Sequence, residues 1–438
     1  MNRRRAFGKT VSGKSRIAGN RLHIGRRRGY EQGFNRGYEI GRAKGSAAYR
    51  APFEGVSLIL PSRNQKDRLV NFIEAIWTHT EMPYELIVVD NGSKDGTADY
   101  LRNHSARLRH RLNVSDDGFS AAVNQGLTMA RGDRIALLTV DAAVTDNQWL
   151  PDLLRCLQRE PRIGLVGQVA AGKQEEADEY DDPDEPDGTN EALRKSARLS
   201  DCLCLLMSKE VVAKAGFFDE LFTDPSVAIE DYALRVRLIG YDLVRSAAFV
   251  FRGRLDRRET ADPETVRRRS VNMVYFRNKW GTRIERFVRA ARNRSREPRA
   301  MIDFYPNHVI VRTGRSEPGY WIEGGKRSRM DPDSATEWTR LSRYDLNQWP
   351  IGEASGAITA RTDVAGEGVL SEGGLVSSPD GQIYLYAEER LRPVLSDWVL
   401  AMWHLDRQPV TPISREQSER YPDGDPLIAP VVLRSDSL

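Results

Sequence analysis

Six short segments carry the side chains whose types and spacing could do chemistry. Pro61-Ser-Arg-Asn64 ends an apolar run, and Val88-Val-Asp90 leads into Asn-Gly-Ser. Asp117-Gly-Phe-Ser120 precedes Asn124, and Leu138-Thr-Val-Asp141 closes another apolar run. Gly216-Phe-Phe-Asp-Glu220 and Glu230-Asp231 complete the set. Asn-Gly-Ser is turn chemistry, so the Asp90 carboxylate is expected at an exposed strand end, where it can accept a ring N–H of a pyrimidine base. The alternative is a plain turn cap. Gly118 permits close backbone approach, and Phe119 can pack under the helix that bears Asn124. Asp141 offers an oxygen ligand of the kind that suits magnesium or manganese. Glu230-Asp231 reads as a helix opening, with Leu234 and Leu238 on its apolar face and Gly240 as its stop. The helix dipole keeps a carboxylate there ionised, as a general base requires. The alternative is an N-cap without a chemical task.

The elements that must hold these groups alternate. Strands are expected at Val56–Leu60, Tyr84–Val89 and Ile135–Val140, with helices at Asp67–Thr78, Thr97–Asn103 and Ser120–Ala130. Apolar strands separated by helices imply an α/β fold, with a mostly parallel sheet covered on both faces. Ligands of such sheets bind beyond the carboxyl ends of the strands, where the six segments fall.

In order and spacing, the segments resemble the family 2 glycosyltransferases of GT-A fold over about residues 54–281, in the rhamnosyltransferase-like branch. The stretch from Asn272 to Lys279-Trp-Gly281 also resembles the end of that family's domain. The resemblance implies a Rossmann-like GT-A domain that moves a sugar, with inversion, from a UDP- or dTDP-sugar to a glycan or lipid-linked acceptor in cell-surface polysaccharide synthesis. It assigns the nucleotide to Pro61, Arg63, Asn64, Asp90, Gly118, Phe119 and Asn124, and the metal, manganese or magnesium, to Asp141. It makes Asp231, with Glu230, the catalytic base, and sets Asp219 and Glu220 on the acceptor side. Two departures bear on the metal. Thr139 stands where the family has a second acid, and Arg252 replaces a histidine, so Arg252 or Arg254 is a candidate diphosphate clamp. These departures also support the alternative of a degenerate, non-catalytic scaffold or glycan-binding domain. A nucleotidyltransferase would need a glycine-rich phosphate loop after the first strand, and Leu58-Ile-Leu-Pro-Ser-Arg63 has none.

The remaining sequence sets the organisation. Of the net +4 of the 438-residue chain, residues 1–50 hold +12 and the rest −8. Residues 1–50 are therefore a basic Gly/Arg/Tyr-rich arm, expected to contact a membrane surface or a protein and not nucleic acid, since no basic nucleic-acid fold follows. The glycosyltransferase-like domain is placed at 51–290, interrupted by an acidic loop at 171–191. Residues 300–430 read as a β-rich tandem repeat, about 304–353 and 367–426, each half ending in Pro-x-Gly. Core packing is the expected role of its aromatics Tyr320, Trp321, Tyr384 and Tyr386. No apolar run reaches the ~18 residues of a membrane span. The three cysteines lack zinc spacing, and Cys202 and Cys204 are expected in the core as thiols. The expected location is cytoplasmic, peripheral at the inner membrane face.

Overall fold

The computed structural model describes residues 53–142, 144–168, 193–195, 199–246, 263–294, 297–330, 337–352 and 370–434. The basic arm, the acidic loop, Arg252 and Arg254 lie outside these residues.

The chain begins with β1 (Phe53–Ser62), α1 (Lys66–His79), β2 (Tyr84–Asp90), α2 (Thr97–Asn103), β3 (Arg109–Leu112), α3 (Phe119–Met129) and β4 (Gly132–Leu138). It continues through α4 (Trp149–Gln158), β5 (Ile163–Gln168), β6 (Leu193–Lys195), β7 (Cys204–Ser208), α5 (Lys209–Ala215), α6 (Pro225–Leu238) and β8 (Asp242–Ser246). Two helices follow, α7 (Pro263–Trp280) and α8 (Ile284–Arg294). The eight strands form one sheet in the order β3-β2-β1-β4-β7-β5-β8-β6. β1, β2 and β3 pair in parallel, as do β5 and β8, whereas β7 runs antiparallel to β4 and β5, and β6 to β8.

The period-2 alternation of a strand explains the two-sided core. Leu58 and Leu60 of β1 join Leu86 and Val88 of β2 under α1 and α4, while Ile59 and Ile87 face the layer that holds α3, α5 and α6. Both faces are thus buried, as expected of near-continuous apolar strands. Cys202 and Cys204 are buried thiols. The strand expected over Ile135–Val140 ends at Leu138. Just beyond it, Thr139 N–H still donates to the Leu203 carbonyl at 3.0 Å.

Two small sheets follow. The first contains β9 (Val309–Arg312), β10 (Tyr320–Glu323), β11 (Lys326–Arg329) and β12 (Thr339–Arg340), with α9 (Arg343–Gln348) after them. The second contains β13 (Leu375–Ser377), β14 (Ile383–Ala387), β15 (Arg390–Pro393) and β16 (Val410–Pro412), with α10 (Asp397–Met402) and α11 (Arg415–Arg420). Their strand orders, β11-β10-β9-β12 and β15-β14-β13-β16, are equivalent, and in each the fourth strand runs parallel to the first. Each hairpin turns on two residues of positive φ, Gly324-Gly325 in one and Glu388-Glu389 in the other. Each unit then closes alike. Arg327 N–H donates to Pro350 O and Gly352 N–H to Arg327 O, while Leu391 N–H donates to Pro422 O and Gly424 N–H to Leu391 O.

These sheets share their core with the large sheet. One apolar cluster runs from Ile59 and Leu205 through Trp280 and Val288 to Val311, Trp403 and Leu427. The tail completes it: Glu220 N–H donates to Val432 O at 2.9 Å, and the Trp403 indole donates to Ile428 O at 2.7 Å. Residues 54–438 accordingly form one compact unit.

Asp345, at the start of α9, is buried in this shared core. Burial pushes its carboxyl up to about 6, against the pull of the Ser342 hydroxyl and the Arg235 charge. Its pKa in the fold lies above the unfolded value, so the fold favours the protonated form. The stability linked to it is complete below about pH 4 and is lost as pH rises through about 6, some 3 kcal/mol in all. Asp345→Asn should therefore gain about 3 kcal/mol relative to wild type between pH 4 and pH 7.5, read by urea denaturation at both values. A pH-independent difference would show that the carboxyl is not held protonated.

Candidate active-site cleft

A cleft of about 1150 Å³ opens beyond the carboxyl ends of β1 and β2. Its inner wall is built by Pro61, Arg63, Asn64, Asn91 and Phe119, its floor by Thr223 and Asp224, and its far wall by one face of α7. The loops that present the inner wall are fastened to each other. Asn64 takes a left-handed conformation that asparagine tolerates (φ 51°). Its N–H donates to Ser93 Oγ at 2.8 Å, and Lys94 N–H donates to Asn64 Oδ1 at 2.8 Å. The Asn91 amide spans two further segments, donating to Asp116 Oδ1 at 2.7 Å and Gly118 O at 3.2 Å while accepting from Asp117 N–H at 3.1 Å. Gly118 has φ 89°, and a Cβ there would come within 2.6 Å of Thr223 Cγ2. That close approach lets α3 begin against the floor with Phe119 turned to the cleft.

Of the expected nucleotide residues, Pro61, Arg63, Asn64 and Phe119 line this cleft. Asp90 lies at the end of β2, buried, with Oδ1 accepting from Ser93 N–H at 3.3 Å. Asn124 is fully buried. It donates to Phe218 O and Glu220 Oε1 and accepts from Phe218 N–H, so its amide is used in clamping the 216–220 turn. Asp219 and Glu220, expected beside an acceptor, are both buried. Lys279 Nζ lies 2.7 Å from Asp219 Oδ2, and Glu220 Oε2 accepts from Arg434 N–H at 2.6 Å.

The helix expected to open at Glu230-Asp231 begins earlier. Asp224 is its N-cap, with Oδ1 accepting from Ser226 and Val227 N–H at 3.0 and 3.2 Å, and Pro225 follows in the first turn. An Asp-Pro pair is the stronger start signal, because the carboxylate satisfies free N–H groups and proline lacks one. Glu230 and Asp231 therefore fall in mid-helix. Asp231 is 0% exposed, and both oxygens are engaged. Oδ1 meets Lys279 Nζ at 2.8 Å and Trp280 Nε1 at 2.9 Å, and Oδ2 meets Arg235 Nε at 3.1 Å. Burial alone would raise its pKa. The charges of Lys279 and Arg235, with the Lys279 and Trp280 hydrogen bonds, outweigh that and hold it below the ordinary aspartate value. Asp231 is thus an ionised hub joining α6 to the end of α7. The carboxylate that α6 presents to the cleft is that of Asp224.

Asp224 was missed by sequence reasoning, although Asp224-Pro225 was legible as a helix start. Asn272 of α7 fixes its position, accepting from Thr223 N–H at 2.6 Å and Asp224 N–H at 2.9 Å. Asp116 was also missed. It ties the two walls, 2.6 Å from Arg63 and 3.8 Å from Arg268.

The expected metal ligand stands apart. Asp141 Oδ1 is paired with Arg68 Nη1 at 2.9 Å, and Asp141 is not among the described residues that line the cleft. Thr139 supplies a hydroxyl in place of a second acid. Among the described residues no group of three or more His, Cys, Asp and Glu is placed to hold a metal ion. A single carboxylate, neutralised by arginine and standing off the cleft, does not fit a divalent cation that would serve a ligand bound there.

Also among the described residues, no helix is long and apolar enough to cross a membrane. Over 264 residues the chain is 26% identical to an uncharacterized protein of Sinorhizobium fredii, covering 54% of this chain and 29% of that one. Over 100 residues it is 33% identical to the glycosyltransferase AglE of Haloferax volcanii, covering 22% and 33%. The chain thus spans about a third of the length of these curated relatives. A solved structure of the Pyrobaculum calidifontis mannosyltransferase PcManGT with GDP-Man and Mn2+ overlaps 56% of this chain and 65% of its own, at 19% identity and a TM-score of 0.38. Residues 57–216 match the family model for glycosyl transferase family 2. That similarity to glycosyl transferase family 2 spans the stretch from β1 to the end of α5.

Proposed function

We propose that the chain is an inverting hexosyl- or deoxyhexosyltransferase that moves a sugar from a UDP- or dTDP-sugar to a hydroxyl of a glycan or glycolipid acceptor. Cell-surface polysaccharide synthesis, in the rhamnosyltransferase-like branch, is the setting, with residues 1–50 as the tether to a membrane surface or partner. The observation that carries the reading is the cleft itself. Within the residues that match that family model, four of the seven expected around a nucleotide converge on one concavity at the carboxyl ends of β1 and β2.

In this reading Asp224 takes the role expected of Asp231. It accepts the proton of the acceptor hydroxyl, the oxygen bonds to the anomeric carbon, and the bond from that carbon to the nucleoside diphosphate breaks on the opposite face. Asp231 and Glu230 then support the helix that aims Asp224. The two C-terminal sheets are read as copies of one unit that braces the transferase domain.

The test begins with thermal shifts across UDP-, dTDP- and GDP-sugars, followed by turnover of the donor that binds, read as nucleoside diphosphate release. Asp224→Asn keeps the N-cap, since asparagine caps as well as aspartate, and should lower kcat by about 10²–10⁴ with nucleotide affinity unchanged. Unaltered turnover in that variant would remove Asp224 from the mechanism. A protein that shifts with no sugar nucleotide would favour the scaffold reading.

A further inference from the structure

A departing diphosphate needs positive charge held where that charge develops. Asp141, the expected seat of a metal ion, is occupied by Arg68 and stands off the cleft. The positive groups that do line the cleft are arginines. Arg63 is held by Asp116 at 2.6 Å, and Arg268 is shared between Glu264 at 3.2 Å and Asp116 at 3.8 Å. Arg269 and Arg277 also line the cleft and are exposed, with no ion-pair partner among the described residues. Eight residues apart, they sit on one face of α7 about 12 Å along its axis, within mutual reach of their side chains. A guanidinium presents paired N–H groups that match phosphoryl oxygens, and it remains charged at any physiological pH.

We propose that Arg269 and Arg277 of α7 receive the diphosphate of the donor, in place of a metal ion on Asp141. The inference rests on the glycosyltransferase reading. It also links the two ends of the reaction. Asn272, between the two arginines in sequence, holds the backbone of Thr223 and Asp224, so the helix that binds the leaving group also sets the proposed base.

Calorimetry on the full chain tests this with UDP, dTDP and GDP, and with the matching nucleoside, each in EDTA and in manganese. The nucleoside diphosphate that binds should do so with affinities within about twofold in the two buffers. The Arg269→Ala/Arg277→Ala double variant, both positions being exposed, should fold as wild type and bind that diphosphate at least about tenfold more weakly, while nucleoside binding stays unchanged. The proposal is overturned if manganese raises affinity by about tenfold or more, Asp141→Ala abolishes that rise, and the double arginine variant binds like wild type. That outcome leaves the glycosyltransferase reading standing. Absence of binding by every nucleoside diphosphate in both buffers removes both.

Discussion

Replacing Lys279 by methionine should lower folding stability by about 3–5 kcal/mol, the cost of stranding buried charge. Lys279 is 3% exposed and stands between two buried carboxylates, 2.7 Å from Asp219 and 2.8 Å from Asp231. Asp231 would keep Arg235 and the Trp280 indole, whereas among the described residues Asp219 would keep only the Leu221 N–H, 3.1 Å away. Most of the loss is therefore assigned to Asp219. Adding Asp219→Asn to the methionine variant should recover about 1–2 kcal/mol, because a neutral amide is less costly to bury than an unpaired carboxylate. Urea denaturation of the single and double variants measures both effects. A single-variant loss below about 1 kcal/mol would mean that the lysine contributes no more than a surface pair.

Trp403→Ala should cost about 3–5 kcal/mol, as expected for deleting a buried aromatic side chain. Trp403 packs 5.0 Å from the Tyr305 ring, and its indole N–H holds the Ile428 carbonyl. The informative feature is where the loss is felt. Trp403 belongs to the same apolar cluster as Ile59 of β1, which lies beneath the cleft wall. The variant should therefore lower the midpoint of unfolding for the whole of residues 54–438, with loss of nucleotide binding coincident with loss of secondary structure. Two separated transitions, with binding retained through the first, would show that the C-terminal sheets are an independent module.

The sheet and the inner cleft wall were legible because their determinants are local. The apolar runs around Leu58, Ile87 and Leu137 announced strands buried on both faces, with helices in the stretches between them. Turn chemistry at Asp90–Ser93 located a strand end, and the resemblance to family 2 glycosyltransferases pointed to Pro61, Arg63, Asn64 and Phe119 as the wall. The repeated Pro-x-Gly ends at Pro350 and Pro422 were visible for the same reason, each being a short pattern with a defined backbone task.

What the sequence alone determined about this protein is therefore its α/β layering and the place of its cleft at the carboxyl ends of β1 and β2. Tertiary structure decided which acids meet that cleft. Asp231, Asp219 and Glu220 carry the same charge as Asp224 and sit in equally suggestive segments. Their carboxylates are taken by groups remote in sequence: Trp280 lies 49 residues from Asp231, Lys279 lies 60 from Asp219, and Arg434 lies 214 from Glu220. A buried carboxylate must be paired or hydrogen-bonded. Which carboxylate finds those partners depends on where α7 and the C-terminal tail dock, and no periodicity within α6 records that docking.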